Sequence, residues 1–250
     1  MGVSDKTKKK ESALGENIKV IVQALLLALV IRTFLFQPFS IPSGSMMPTL
    51  LVGDYMFVSK FAYGYSTYSL PMSLDLFNGR IWSEKPERGD VVVFRLPSDP
   101  SVDYVKRVIG LPGDSIQMKD GVLNINGKPV PKERDGTFHP TGRYDTGQEV
   151  PVFKETLPNG KSYDTLDLTP NSPGDNTRVF HVPKGHYFMM GDNRDNSLDS
   201  RFDVGYVPFK NLVGRANIIF FSIRGDVSPL EFWKWPTDLR LDRIFSSAQH

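Results

Sequence analysis

The sequence predicts a mainly β domain, a barrel or a sandwich, carried on one N-terminal transmembrane helix. Three observations predict it. An apolar run, "VIVQALLLALVI" (Val20–Ile31), follows Lys6, Lys8, Lys9 and Lys10. Beyond it the chain changes to short stretches rich in Val, Ile, Phe and Tyr, bounded by Gly, Pro and Asp. The 250 residues are 40% hydrophobic and 23% charged, which is the composition of a folded chain.

The anchor comes first. Val20–Phe36 holds 17 residues and reaches roughly 25 Å at about 1.5 Å per residue. That crosses a hydrocarbon core of about 30 Å if the ends snorkel, and Arg32 is placed to do so. The lysines ahead of the run predict a cytoplasmic N-terminus and an exported remainder. A cleaved leader has the same shape, but the exit "RTFLFQPFSIPSG" carries no Ala-x-Ala cleavage site. A buried core helix would not place Gln23 and Arg32 within its run. The expected division is a basic cytoplasmic segment (1–17), the anchor (18–36) and an exported domain (37–250), with a β subdomain inserted at about 131–183.

Strands follow. "DYMFVSKFAYGY" (Asp54–Tyr65), "DVVVFRL" (Asp90–Leu96), "DYVKRVIGL" (Asp103–Leu111) and "DSIQMKDGVLNINGKPV" (Asp114–Val130) have strand composition. Asp120-Gly121 and Asn126-Gly127 are signals for two-residue hairpin turns. "GHYFMMGD" and "GRANIIFFSIR" read as later strands. Tyr65–Arg88 and Pro131–Pro183 are polar and broken by Pro and Gly, the pattern of loops or an insertion. Near the C-terminus, "EFWKWPTDLRLDRIF" holds two tryptophans beside basic residues, which suits a membrane interface and a packed core equally.

Composition removes several chemistries. A net charge of +2 makes no case for nucleic acid. Without cysteine there is no disulfide, thiolate metal site or cysteine nucleophile. None of the four histidines has zinc-motif spacing, and no G-x-S-x-G occurs. "GDNRDNSLDSR" (Gly191–Arg201) lacks the order of a calcium loop. No metal and no cofactor is expected. A serine activated by a neutral lysine remains. Such a lysine must lose water to lose its proton near neutral pH. Lys106 lies in an apolar strand with Tyr104 and Val108 on its own face, although most strand lysines point to solvent.

Three stretches occur in order: "IPSGSMMPTLLVGDYMFVSKFAYG", "RGDVVVFRLPSDPSVDYVKRVIGLPGD" and "HYFMMGDNRDNSLDSRFDVGYVP". They resemble the successive boxes of bacterial type I signal peptidases, membrane-bound serine endopeptidases that remove signal peptides from exported proteins. The resemblance covers the anchor and most of the catalytic part, and is weakest over Tyr65–Glu87 and Pro131–Val182. It implies that Ser45 attacks the scissile carbonyl and that Lys106 is general base and later acid. It implies that Ser43 donates its hydroxyl to the oxyanion beside the Ser45 backbone N–H. Ser197 would hydrogen-bond the lysine amine. Asp199 and Arg201 would brace that loop, and Asp192 would pair with Arg107.

The same residues make local sense. Gly44 lets a substrate backbone approach, and Pro42 and Pro48 stiffen the segment. Ile41, Pro42, Met46, Leu50, Tyr104 and Val105 are apolar and would line shallow pockets for small side chains, as the Ala-x-Ala preference implied by the resemblance requires, and Phe94 would help desolvate Lys106. Eight residues (37–44) separate Phe36 from Ser45, at most about 30 Å when extended, so the nucleophile is expected near the bilayer. The implied partners are preprotein signal peptides, membrane lipid and the translocation machinery. The implied location is the bacterial inner (plasma) membrane, single-pass, with the domain on the periplasmic side.

The chain departs from better-known Gram-negative members by having one anchor instead of two, and by reading "FDVGYVP" after "DSR". Two rivals stand beside this reading. A LexA-like self-cleaving Ser/Lys protein shares the chemistry but would carry a DNA-binding segment instead of an anchor. A noncatalytic anchored β domain would leave "SGSM" and "YVKR" unexplained.

Overall fold

The computed structural model describes residues 4–69, 79–140, 144, 147–224, 227–228 and 230–249, with side chains described from residue 15 onward. The Tyr65–Arg88 stretch is therefore only partly within the described residues.

Helix α1 (Ser4–Val30) begins well before the apolar run and continues as one π-helical stretch, Ile31–Leu35. Its segment Gly15–Leu35 has a mean hydropathy of 2.2 and is long and apolar enough to span a membrane. From Ile18 to Val30 its large apolar side chains are exposed and pack against no protein. The helix stops at Leu35, because Phe36 already has the extended backbone of a strand.

The main sheet has seven strands. Their order is β1 (Phe36–Ser40), β2 (Asp54–Ser59), β16 (Leu212–Ser222), β5 (Val91–Arg95), β6 (Asp103–Gly110), β14 (His186–Met190) and β15 (Val207–Pro208). Every neighbouring pair is antiparallel. The sheet curls into a half-barrel, so that Gln37–Ser40 of β1 and Asp103–Lys106 of β6 border one groove although three strands lie between them. Four breaks of register in the ladders of β16 and β14 give it room to bend.

Strand β5 explains why "VVVF" has no polar alternation. Val91 and Val93 pack with Met56, Val58 and Ile219 on one face, while Val92 and Phe94 pack with Val108, Met189 and Leu212 on the other. All four are wholly buried, each worth roughly 1.5–3 kcal/mol of apolar burial.

Beside the main sheet lies a four-stranded sheet in the order β13 (Phe180–His181), β7 (Ser115–Lys119), β8 (Val122–Ile125) and β9 (Lys128–Pro129). Its two hairpins turn at Asp120-Gly121 and Asn126-Gly127, where φ is positive at both residues of each pair, the left-handed backbone these dipeptides accept. A three-stranded sheet, β10 (Lys132–Phe138), β11 (Val150–Thr156) and β12 (Ser162–Leu166), falls inside the stretch read as an insertion. A short pair, β3 (Tyr65–Ser66) with β4 (Arg80–Ile81), completes the strands among the described residues.

Candidate active site

The segment after β1 is pinned from beneath. The Ile41 N–H donates to the Asp54 carbonyl at 2.9 Å, and the Gly53 N–H donates back to Ile41. A tight turn then joins Leu50 N–H to the Met46 carbonyl. Ile41, Met46 and Leu50 are buried in the cluster under the sheet, which leaves Ser43 exposed and Ser45 half-buried. Gly44 is confined: its N–H donates to the Tyr144 hydroxyl at 3.0 Å, its carbonyl accepts from Asn193 Nδ2 at 3.0 Å, and a Cβ there would stand 2.8 Å from Met47 Cε and 3.0 Å from the Tyr144 ring. Any larger residue must shift the end of the Met47 side chain and press on that ring.

Lys106 lies on β6 directly across from Val92. It is 1% exposed, and its Nζ hydrogen-bonds Ser45 Oγ at 2.6 Å. Burial lowers its pKa from 10.5 to about 8, against the pull of the Asp199 and Asp192 carboxylates. Tyr104 stands on the same face, with its ring centre 5.3 Å from the amine. Ser43 Oγ is 3.4 Å from Ser45 Oγ.

Next to the lysine, Arg107 is buried with all five N–H donors matched. Nε and Nη2 donate to Asp192 at 2.8 and 2.6 Å, Nη1 to the carbonyls of Gly89 and Gln249, and Nη2 also to Thr49 Oγ1. Thr49 in turn donates to Asp192 at 2.6 Å. The loop Gly191–Arg201 closes over this pair. Its Asn193 N–H donates to the Ser45 carbonyl at 3.2 Å. Asp199 accepts from the Gly191 N–H and from Arg201, which together hold its carboxyl low despite burial that would raise it. Gly191 has no room for a side chain, since a Cβ would come 2.2 Å from Ser197 Oγ and 2.4 Å from the Ser45 carbonyl. The loop is clamped from outside by the three-stranded sheet: Arg194 donates to Glu155 on β11 at 2.6 and 2.7 Å and to the Tyr163 hydroxyl on β12.

Several sequence expectations change here. Ser197 is beside the pair, but its buried Oγ has no hydrogen-bond partner, and the lysine amine is bound to Ser45 instead. Leu50 and Phe94 are 0% exposed and line no groove. Leu50 points into the core beneath its own turn, and Phe94 packs beside Tyr104 within the apolar cluster on the lysine's face of the sheet. Ile41, Pro42, Met46, Tyr104 and Val105 do border the groove. Residue reasoning missed Thr49, Tyr144, Glu155, Tyr163 and Gln249. Glu155 and Tyr163 lie in polar stretches with no local signature, and Thr49 and Gln249 are remote from the pair they brace.

Two hollows meet at the pair. The groove, of about 490 Å³, runs between β1 and β6, and a cavity of about 420 Å³ opens beside Tyr144 and the Gly191–Arg201 loop. Strand β6 joins β14 only from Arg107 onward, so among the described residues Asp103–Lys106 has no strand neighbour on that edge. Asp167, Asp175 and Asp195 bring carboxylate oxygens within 4.8 Å of one another, yet Lys132 and backbone N–H groups already bind them.

The comparisons define the class first: a peptidase. Residues 14–221 match the family model described as "Signal peptidase, peptidase S26". A protein of Rickettsia typhi named Signal peptidase I is 45% identical, the match covering 89% of each chain. One of Rickettsia prowazekii with the same name is 45% identical over 98% of this chain and 95% of its own. The solved structure of a signal peptidase I from Enterococcus faecalis shares 26% identity over 53% of this chain and 97% of its own, with a TM-score of 0.31. The chain belongs to the signal peptidase, peptidase S26, family.

Proposed function

We propose that this chain is a membrane-anchored serine endopeptidase that removes signal peptides from exported preproteins, with Ser45 as nucleophile and Lys106 as general base. The observation that carries it is a buried amine, its pKa lowered to about 8, at 2.6 Å from a serine hydroxyl. A neutral Lys106 takes the Ser45 proton as Oγ attacks the scissile carbonyl. The oxyanion forms beside the Ser43 hydroxyl and the Ser45 N–H. The ammonium then protonates the departing amine, and the neutral lysine activates water against the acyl ester. Arg107, Asp192, Asp199 and Arg201 hold this geometry without touching substrate. Ser197 shares the cavity, and its free hydroxyl is placed to bind the amine once the serine is acylated.

The edge of Asp103–Lys106, unpaired among the described residues, supports binding of the substrate as an added strand. Alternate side chains of an extended peptide face the same way. Two residues, the first and third before the cut, then meet the groove at Ile41, Pro42, Met46, Tyr104 and Val105, and the one between points away. This supports an Ala-x-Ala requirement.

The lysines before the anchor favour a cytoplasmic N-terminus and a domain on the periplasmic side of the bacterial inner membrane. Phe36, Phe57, Phe61, Phe232, Trp233 and Phe245 are exposed aromatics, which supports contact with lipid. A substrate that emerges during export places the translocation machinery among the partners. The anchor and the family weigh against a self-cleaving DNA-binding protein.

The test uses the purified full chain in detergent with a preprotein carrying an Ala-x-Ala site. It is expected to cut after the second alanine, and Ser45→Ala and Lys106→Ala are each expected to abolish cutting while keeping the circular dichroism of the unaltered chain. Normal cutting by either variant rules out the dyad.

A further inference from the structure

The groove between β1 and β6 and the cavity beside Tyr144 share Ser43, Ser45, Tyr104 and Lys106. The reacting pair therefore stands where the two hollows meet, and an extended peptide cut at Ser45 runs through both. The groove is bordered by β1, which starts where the anchor ends. A signal peptide held in the bilayer enters from that side. The chain on the far side of the cut then leaves through the Tyr144 cavity.

That cavity has a distinct chemistry. Its rim is apolar: Tyr144, Pro173, Leu198 and Phe202. Leu198 is 59% exposed and Phe202 39%, so large apolar surface faces an open hollow. Its polar wall carries Arg194, whose charge the buried Glu155 carboxylate offsets, and the Asp195 carboxylate, which accepts from the N–H groups of Leu168 and Thr169 and from Ser172 Oγ. Tyr144 is held over the serine loop by the Gly44 N–H.

Resting on the functional reading above, we propose that this cavity is the subsite for the first residue of the released protein. Tyr144 and Leu198 select an apolar side chain there, and Asp195 disfavours an acidic one. These contacts act on formation of the acyl-enzyme and not on its hydrolysis, because the departing chain is gone by then.

Three preprotein peptides identical except for the first residue after the cut, alanine, leucine or aspartate, test this. The full chain in detergent is expected to cut the leucine peptide about tenfold faster than the aspartate peptide in kcat/KM. Leu198→Lys, at an exposed position that tolerates change, is expected to favour aspartate instead. Tyr144→Ala is expected to bring the leucine-to-aspartate ratio near one. Failure of the unaltered chain to cut the alanine peptide overturns the functional reading and this inference together. Normal cutting with equal rates for all three peptides overturns the inference alone. So does an unchanged ratio in both variants.

Discussion

An amine whose pKa falls from 10.5 to about 8 on folding weakens the fold wherever the unfolded chain binds a proton more readily than the folded one. Below about pH 8 both states are protonated and the penalty is full, about 3 kcal/mol at roughly 1.36 kcal/mol per pKa unit. Between about 8 and 10.5 it fades as the unfolded state also releases its proton. Lys106→Met is therefore expected to be inactive but more stable than the unaltered chain at pH 7, by ~1–3 kcal/mol in denaturant unfolding. That advantage should vanish as pH approaches 10.5, and a constant advantage would contradict the buried-amine account. As the proposed general base, the same group is expected to set activity: kcat/KM should fall tenfold per pH unit below about 8, in a pH profile measured with one peptide. Ser43→Ala removes the proposed side-chain oxyanion donor and is expected to lower kcat about 10²-fold with little change in KM.

Residues of this kind were readable in the sequence only where they sit in local patterns. Ser45 and Lys106 stand in "SGSM" and "YVKR", and the fold brings their reacting atoms within 2.6 Å. The unsatisfied hydroxyl of Ser197 depends on how far the loop closes over Ser45. The burial of Leu50 and Phe94 depends on which face of the sheet each meets. Neither is written in spacing.

At the level of elements, the three-stranded sheet acts as a buttress. Leu166 at the end of β12 bridges Asn193 in parallel, and its N–H and carbonyl pair with Asp192 and Arg194. Glu155 is wholly buried against Arg194, so removing its charge leaves a guanidinium uncompensated, which costs about 3–5 kcal/mol. Glu155→Gln is expected to lower stability by about 3 kcal/mol in urea and to lower kcat more than it raises KM. Glu155→Gln combined with Arg194→Met is expected to regain stability. The hairpin turns of the four-stranded sheet were plain in Asp120-Gly121 and Asn126-Gly127, because only a few dipeptides accept that backbone. Strand β10 was not plain: Glu133, Arg134 and Asp135 are exposed and charged and Gly136 and Thr137 follow them, so no apolar alternation marks it.

For the whole molecule, anchor and reaction centre are built as one unit. Strand β1 runs straight out of the π-helical end of α1, and the Tyr65 hydroxyl donates to the Phe34 carbonyl at 2.6 Å, tying the domain to the helix. Mutations in β1 should therefore disturb both membrane attachment and cutting. The curl of the main sheet, the feature least legible in sequence, arises from register breaks that no single residue announces.

The edge at Asp103–Lys106, bare among the described residues, has a consequence away from substrate. A sheet that lacks one strand offers itself to any extended chain, including another copy of the same protein. In the bilayer, the helix limits how two copies can face each other. Freed of it, a chain beginning at Phe36 is expected to self-associate at micromolar concentration in sedimentation, and a short peptide occupying the groove is expected to return it to monomers. The edge proposed to take substrate is thus also an expected route to unwanted polymerisation, with a bound peptide as its cap.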